Sequence, residues 1–134
     1  MILTLKKMEK RYVDGFVIAM PKKKLDEYKK MASAGGKIWM KYGALQYVEC
    51  VGEDLESAAK WGCLPFPKLA KVKSDEIVIF SFIVYKSKKQ RDEINAKIMK
   101  DPMMNDIMKD KPMPFEMKRM AVGGFETLVN LREK

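Results

Sequence analysis

The sequence predicts an α+β fold with the element order β-α-β-β-α-β, the split βαβ arrangement, in which an antiparallel sheet carries its helices on one face. Three observations point there. The unbroken apolar run Ile77-Val78-Ile79-Phe80-Ser81-Phe82-Ile83-Val84-Tyr85 is too short for a buried helix and reads as a strand with two apolar faces. The charged segment Ser87 to Lys100 follows it at once, with Ile94 and Ile98 marking a helical stripe. A second doubly apolar run, Tyr12 to Met20, is followed by Leu25, Tyr28, Ala32, Gly35, Trp39 and Tyr42 at helical steps.

In chain order, residues 1–11 form a basic N-terminal extension, read as a leader strand or a frayed arm. Residues 12–134 make a single domain with a long loop at 53–74. The first strand, Tyr12 to Met20, ends at Pro21, and the first helix covers Lys22 to Tyr42. Within it, Gly35-Gly36 marks a kink or a close approach to the sheet, and Gly43 is a natural stop. The second strand, Ala44 to Val51, places Glu49 on the face of Leu45, Tyr47 and Val51, an unusual company for a carboxylate. Leu55 to Ser74 shows no sustained periodicity, although Leu55 to Lys60 fits one helical turn; Trp61, Leu64 and Phe66 need something to pack on. Ser87 caps the second helix and Asp101-Pro102 stops it. Met103 to Lys109 fits a further short helix, and Lys111 to Phe115 is extended. The fourth strand, Lys118 to Val129, is interrupted at Gly123-Gly124, which reads as a bulge.

Composition narrows the chemistry. The chain has 134 residues, 47% hydrophobic and 34% charged, as expected of a folded domain. No apolar run approaches the roughly 20 residues that cross a bilayer, so no membrane association and a cytoplasmic location are expected. There is no histidine, and the two cysteines, Cys50 and Cys63, are not closely spaced. Zinc sites of the usual Cys/His kind, histidine-based triads and histidine-ligated haem are therefore not expected, and no metal or cofactor is assigned. Acid–base work falls to Asp, Glu, Tyr, Lys or Cys. Cys50 reads as a small buried hydrophobe and Cys63 as an exposed thiol without an activating base. The 12 methionines, concentrated between Met99 and Met120, read as gap-filling side chains or an adaptable groove.

The net charge of +9 is spread along the chain with acids interleaved, the pattern of a solvated surface. RNA-recognition modules share this element order. Their third strand, however, opens with a basic residue and a glycine–aromatic–glycine run, whereas Glu76-Ile77-Val78-Ile79-Phe80 has neither. Nucleic acid is not an expected partner. Strands with two apolar faces and helices on one side need cover on the other, and a second copy supplies it, so a homodimer with sheet facing sheet is expected.

Tyr12-Val13-Asp14-Gly15-Phe16-Val17, Gly43-Ala44-Leu45-Gln46-Tyr47-Val48-Glu49-Cys50 and Phe66-Pro67 form a pattern with Phe80 to Tyr85, Arg91 to Met99, Asp101-Pro102 and Met113-Pro114-Phe115. The pattern continues through Lys118-Arg119-Met120 to Gly123-Gly124-Phe125. It resembles the YbaA-like family of domains of unknown function (domain of unknown function 1428) over about residues 12 to 129. The resemblance implies a ferredoxin-like domain of the dimeric α/β-barrel kind, a group that includes small monooxygenases, dismutase-like haem proteins and stress-response domains. It carries no established activity, and this chain departs from it in a longer Leu55 to Leu64 segment and extra N-terminal residues.

The candidate site lies along the second helix. Arg91 and Asn95 sit on or beside the stripe of Ile94 and Ile98, and a polar pair there needs partners. Tyr12, Asp14, Glu49 and Arg119 are the candidates on or beside the strands. One reading is a pocket between sheet and helices. In it Arg91 or Arg119 holds an anionic or carbonyl oxygen, Asp14 or Glu49 acts as a base, and Tyr12 or Asn95 orients a small-molecule ligand. The other is an arginine–carboxylate pair that locks the helix or the dimer. The sequence therefore supports a small-molecule-binding homodimer, with a non-catalytic structural or stress-related dimer and a cofactor-free oxygenase as alternatives.

Overall fold

The computed structural model describes residues 5–7, 9–109 and 112–133. The elements are β1 (Leu5–Lys7), β2 (Tyr12–Pro21), α1 (Leu25–Lys41), β3 (Gln46–Val51), α2 (Phe66–Leu69), β4 (Glu76–Tyr85), α3 (Lys88–Met99), α4 (Pro102–Met108), β5 (Met120–Glu126) and β6 (Leu131–Glu133). Four strands form one antiparallel sheet in the order β3-β4-β2-β5, with the two βαβ units interleaved. This is the ferredoxin-like order, and the fold is α+β as expected. Among the described residues no helix is long and apolar enough to cross a membrane.

The register decides which side chains meet. β2 pairs with β4 over ten residues, from Tyr12 opposite Tyr85 to Pro21 opposite Glu76. Alternation sends Tyr12, Asp14, Phe16, Ile18 and Met20 to the helix side, together with Ile79, Ser81, Ile83 and Tyr85 of β4 and Tyr47 and Glu49 of β3. Met20, Ile79, Tyr28 and Phe115 fill one end of the core, and Ile38, Ile83, Tyr85, Ile94 and Ile98 the other. Each buried isoleucine contributes roughly 1.5–3 kcal/mol.

The opposite face carries Val13, Val17, Val48, Phe80, Phe82, Val84 and Phe125. The 53–74 segment reaches one part of it, where Phe66 of α2 meets Phe80 edge-on with ring centroids 6.2 Å apart. Phe80 nevertheless stays 44% exposed and Phe125 62% exposed. Phe125 lies in the hollow left by Gly15 and Gly123, its ring 3.5 Å from where a Cβ on Gly15 would stand.

Several local expectations change. The first turn after Pro21 is a 3₁₀ turn over Lys22–Lys24, and α1 begins at Leu25. The helical turn expected at Leu55 to Lys60 lies at Ser57–Trp61. Gly123-Gly124 is not a bulge: β5 keeps continuous register with β2, Gly124 facing Asp14 and Gly123 facing Gly15. The glycine is needed because a Cβ on Gly124 would overlap the Tyr12 ring and hydroxyl. Cys50 is exposed rather than buried, because it points outward from edge strand β3; Cys63 is exposed as expected. Of the N-terminal extension, Leu5–Lys7 pair with Leu131–Glu133 in a separate ribbon; residues 1–4 and 8, with Asp110, Lys111 and Lys134, lie outside the described residues.

Gly35-Gly36 produces a close approach. α1 runs unbroken, and a Cβ on Gly36 would stand 2.6 Å from the Tyr47 ring. Gly36→Ala would gain about 1 kcal/mol of helix propensity. The overlap with the ring costs more, so the variant is expected to be less stable by about 1 kcal/mol net in urea unfolding.

Candidate functional site

Between the sheet and the helices lies a cavity of about 540 Å³. Its walls are mainly apolar, with Phe16 and Ile83 from the sheet, Trp39 from α1 and Ile98 from α3. Met99, Met104, Met108, Met117 and Met120 complete it, so the methionine cluster serves as the adaptable groove that the composition allowed. The polar groups on this wall include Glu49, Ser81, Asn95 and the hydroxyls of Tyr28 and Tyr47.

Glu49 is the centre of that polar set. Tyr28 donates to one carboxylate oxygen at 2.6 Å and Tyr47 to the other at 2.7 Å. Ser81 stands opposite Glu49 across the β3–β4 pair. Among the described residues no lysine or arginine forms an ion pair with Glu49. Burial pushes both tyrosines well above the usual phenol range, and the hydrogen bonds to the Glu49 carboxylate push the same way. Both hydroxyls thus stay protonated donors. A second opening of about 510 Å³ lies on the outer side of this group, between α1 and edge strand β3, lined by Leu25, Asp26, Lys29, Ser33 and Cys50 as well as Tyr28, Tyr47 and Glu49. Tyr28, Tyr47 and Glu49 thus line both the inner cavity and this outer groove.

Arg91, Asp14 and Tyr12 form a distinct network. Arg91 approaches Asp14 at 3.5 Å, donates to the Tyr12 hydroxyl at 3.3 Å and stacks over the Tyr12 ring at 5.0 Å. Asp92 stands 3.0 Å from the buried Arg91 Nε as a charge pair, without hydrogen-bond alignment. The Tyr85 hydroxyl accepts from Trp39 Nε1 at 3.1 Å. Burial raises the Asp14 pKa, and the Arg91 charge only partly offsets it. Burial raises Tyr85 too, followed by the Asp14 charge. These are the marks of a desolvated lock between β2, β4 and α3.

The six residues singled out from the sequence therefore divide. Glu49 and Asn95 line the cavity, and Tyr12, Asp14 and Arg91 meet beside it. Arg119 does not join them: it pairs with Glu76, donates to the Lys71 carbonyl at 2.7 Å, and clamps the end of the long loop to β4. The periodicity that put it at the start of the fourth strand did not specify which end of the sheet that start occupies. The sequence missed Tyr28, Trp39 and Tyr85, whose only signal was a polar atom on an apolar stripe. It also missed Asp101, 2% exposed, which caps α4 through the Met103 N–H at 2.7 Å and accepts from Tyr42 and Lys41. The Tyr42 hydrogen bond leads the contacts that hold Asp101 down to about 2.

Removing Arg91 would strand Asp14 as a buried charge. Arg91→Ala is expected to cost about 3 kcal/mol in chemical denaturation. Adding Asp14→Asn to it is expected to restore most of that loss, because no unpaired buried carboxylate remains.

The chain is 40% identical over 120 residues to the uncharacterized protein YbaA of Escherichia coli K12, covering 90% of this chain and 98% of that protein, and matches YbaA of Shigella flexneri equally. A Nitrosomonas europaea protein assigned as an antibiotic biosynthesis monooxygenase overlays with a TM-score of 0.49 at 11% identity, covering 88% of this chain and 90% of that one. A dimeric ferredoxin-like protein from an uncultured marine organism overlays at 0.45, also with 11% identity, over 91% of this chain and 96% of that one. Both overlays are loose, and the fold rests on the strand order itself. The family model described as a protein of unknown function (DUF1428) matches residues 11–117, and this chain belongs to that family.

Proposed function

We infer that the protein binds a small, mostly apolar molecule bearing one hydrogen-bond donor in the cavity between sheet and helices, as a homodimer in the cytoplasm. The observation that carries the ligand reading is Glu49: a carboxylate at the wall of an apolar cavity, fixed by two tyrosines and without a cationic partner among the described residues. Each carboxylate oxygen has a lone pair beyond the one its tyrosine uses. A ligand hydroxyl or amine reaching it gains a charge-assisted hydrogen bond. The size and lining of the cavity match those of ordinary small-molecule sites.

The dimer is supported by the partly open second face of the sheet, where Phe125 and Phe80 stand exposed beside the valines. Two exposed cysteines without a disulfide fit a reducing compartment. The structural-dimer reading draws on a different observation, the Asp14–Arg91–Tyr12 network, which locks α3 to the sheet without lining the cavity.

Protein-observed NMR titration with 4-ethylphenol and 4-ethylanisole separates the two. The phenol is expected to shift the amides of Tyr47 and Ile83 and to bind roughly tenfold tighter than the ether, the scale of a hydrogen bond to a charged acceptor. Glu49→Gln is expected to erase the preference. If neither compound perturbs these amides, the structural reading stands. For the dimer, light scattering at micromolar concentration is expected to give twice the chain mass, and Phe125→Glu the mass of one folded chain; a wild-type monomer refutes it.

A further inference from the structure

We propose that Glu49 is a general base that removes an acidic α-proton from an apolar cyclic or aromatic ketone held in the cavity. The inference rests on the cavity reading above, places the acidic C–H of a ketone at Glu49 in place of a hydroxyl or amine donor, and adds a reaction to it. The chain lacks histidine, and of the groups that remain for proton abstraction a carboxylate, Glu49, lines this pocket. Tyr28 and Tyr47 fix both of its oxygens, which sets the direction of the remaining lone pairs. No lysine or arginine among the described residues neutralises it. The carboxylate also faces two spaces. The inner cavity holds the ligand, and the outer groove gives a route by which the captured proton exchanges with water.

The step balances without a co-reactant. The C–H bond next to the carbonyl breaks, its proton passes to a Glu49 carboxylate oxygen, and its electron pair moves onto the carbonyl oxygen as an enolate. Asn95, which lines the cavity from α3, supplies an amide N–H donor for that oxygen. Return of a proton to the same carbon gives exchange with solvent. Return at the far end of a conjugated enolate shifts a double bond. Either outcome restores the Glu49 carboxylate, and nothing is oxidised or reduced.

The test uses 2-tetralone with the full-length protein in deuterated buffer. NMR follows both binding, through the Tyr47 and Ile83 amides, and loss of the C1 proton signal. The wild type is expected to bind the ketone and to exchange it well above the buffer rate. Glu49→Gln, checked for an unchanged fold by its amide spectrum, is expected to retain binding and to lose about a hundredfold of the catalysed exchange. Surface lysines are the same in both proteins, so their background cancels. If Glu49→Gln does not fold, Glu49→Asp takes its place; as a base withdrawn by one methylene it is expected to lose most of the exchange. Binding with exchange at the buffer rate, or equal exchange by wild type and variant, overturns the base role and leaves the cavity reading intact. Failure of 2-tetralone, 4-ethylphenol and 4-ethylanisole alike to bind overturns both.

Discussion

The ten-residue pairing of β2 with β4 fixes everything that happens above the sheet. A strand repeats every two residues, so a slip of one would send Asp14, Ser81 and Tyr85 to the far face and bring Val13, Phe80 and Phe82 under the helices. The apolar content of the inner face forbids the slip, because Ile18, Met20, Ile79 and Ile83 would lose their cover. Once that register holds, the β3–β4 pairing places Glu49 opposite Ser81, and the polar group at the cavity wall follows from the same alternation that built the core.

The helix layer then divides the inner face into two kinds of polar site. Where α3 lies on the sheet, Arg91 and Asp14 neutralise one another beside two tyrosines, and a buried charge becomes part of the framework. Where α1 lies closest, the carboxylate of Glu49 receives neutral hydroxyls instead. The tyrosines satisfy both Glu49 oxygens, whereas Arg91 Nε is buried without a hydrogen-bond partner among the described residues. The two sites also differ in charge: Asp14 has Arg91 beside it, whereas Glu49, at the cavity wall, has no lysine or arginine paired with it among the described residues. Buried ion pairs are weak evidence of function, whereas a carboxylate without a counter-charge at a cavity wall needs another explanation.

Much of this was legible in the residues. Doubly apolar runs gave the strands, the three- and four-residue steps gave α1 and α3, and Ser87 accepts from the Gln90 N–H as a cap should. Gly43, with φ of 108°, ends α1 in a conformation that favours glycine. Glu49 stood out because a carboxylate shared a face with apolar neighbours. What the sequence left hidden were distant partners: Tyr28 lies 21 residues from Glu49, and Trp39 lies 46 from Tyr85, joined only by how the helices sit over the sheet. Arg119 misled because its partner, Glu76, opens a strand whose other end was the expected site. The short α2 was hidden because Pro65 and Pro67 read as loop residues, although a proline at the first turn of a helix is well tolerated.

The cavity has one stiff wall and one compliant wall. On the α1 side, Gly36 lets the Tyr47 ring sit tight against the helix backbone, and the tyrosine–carboxylate contacts leave little freedom. On the α4 side, Met104 and Met108, with Met99, Met117 and Met120 nearby, form a surface of unbranched side chains that changes shape at small cost. Selectivity and tolerance are thus separated in space. On the ligand-binding reading, substitutions among the methionines would widen or narrow the range of molecules admitted while the chemistry at Glu49 stayed fixed, so members of one lineage would diverge in what they bind without rebuilding how they bind it.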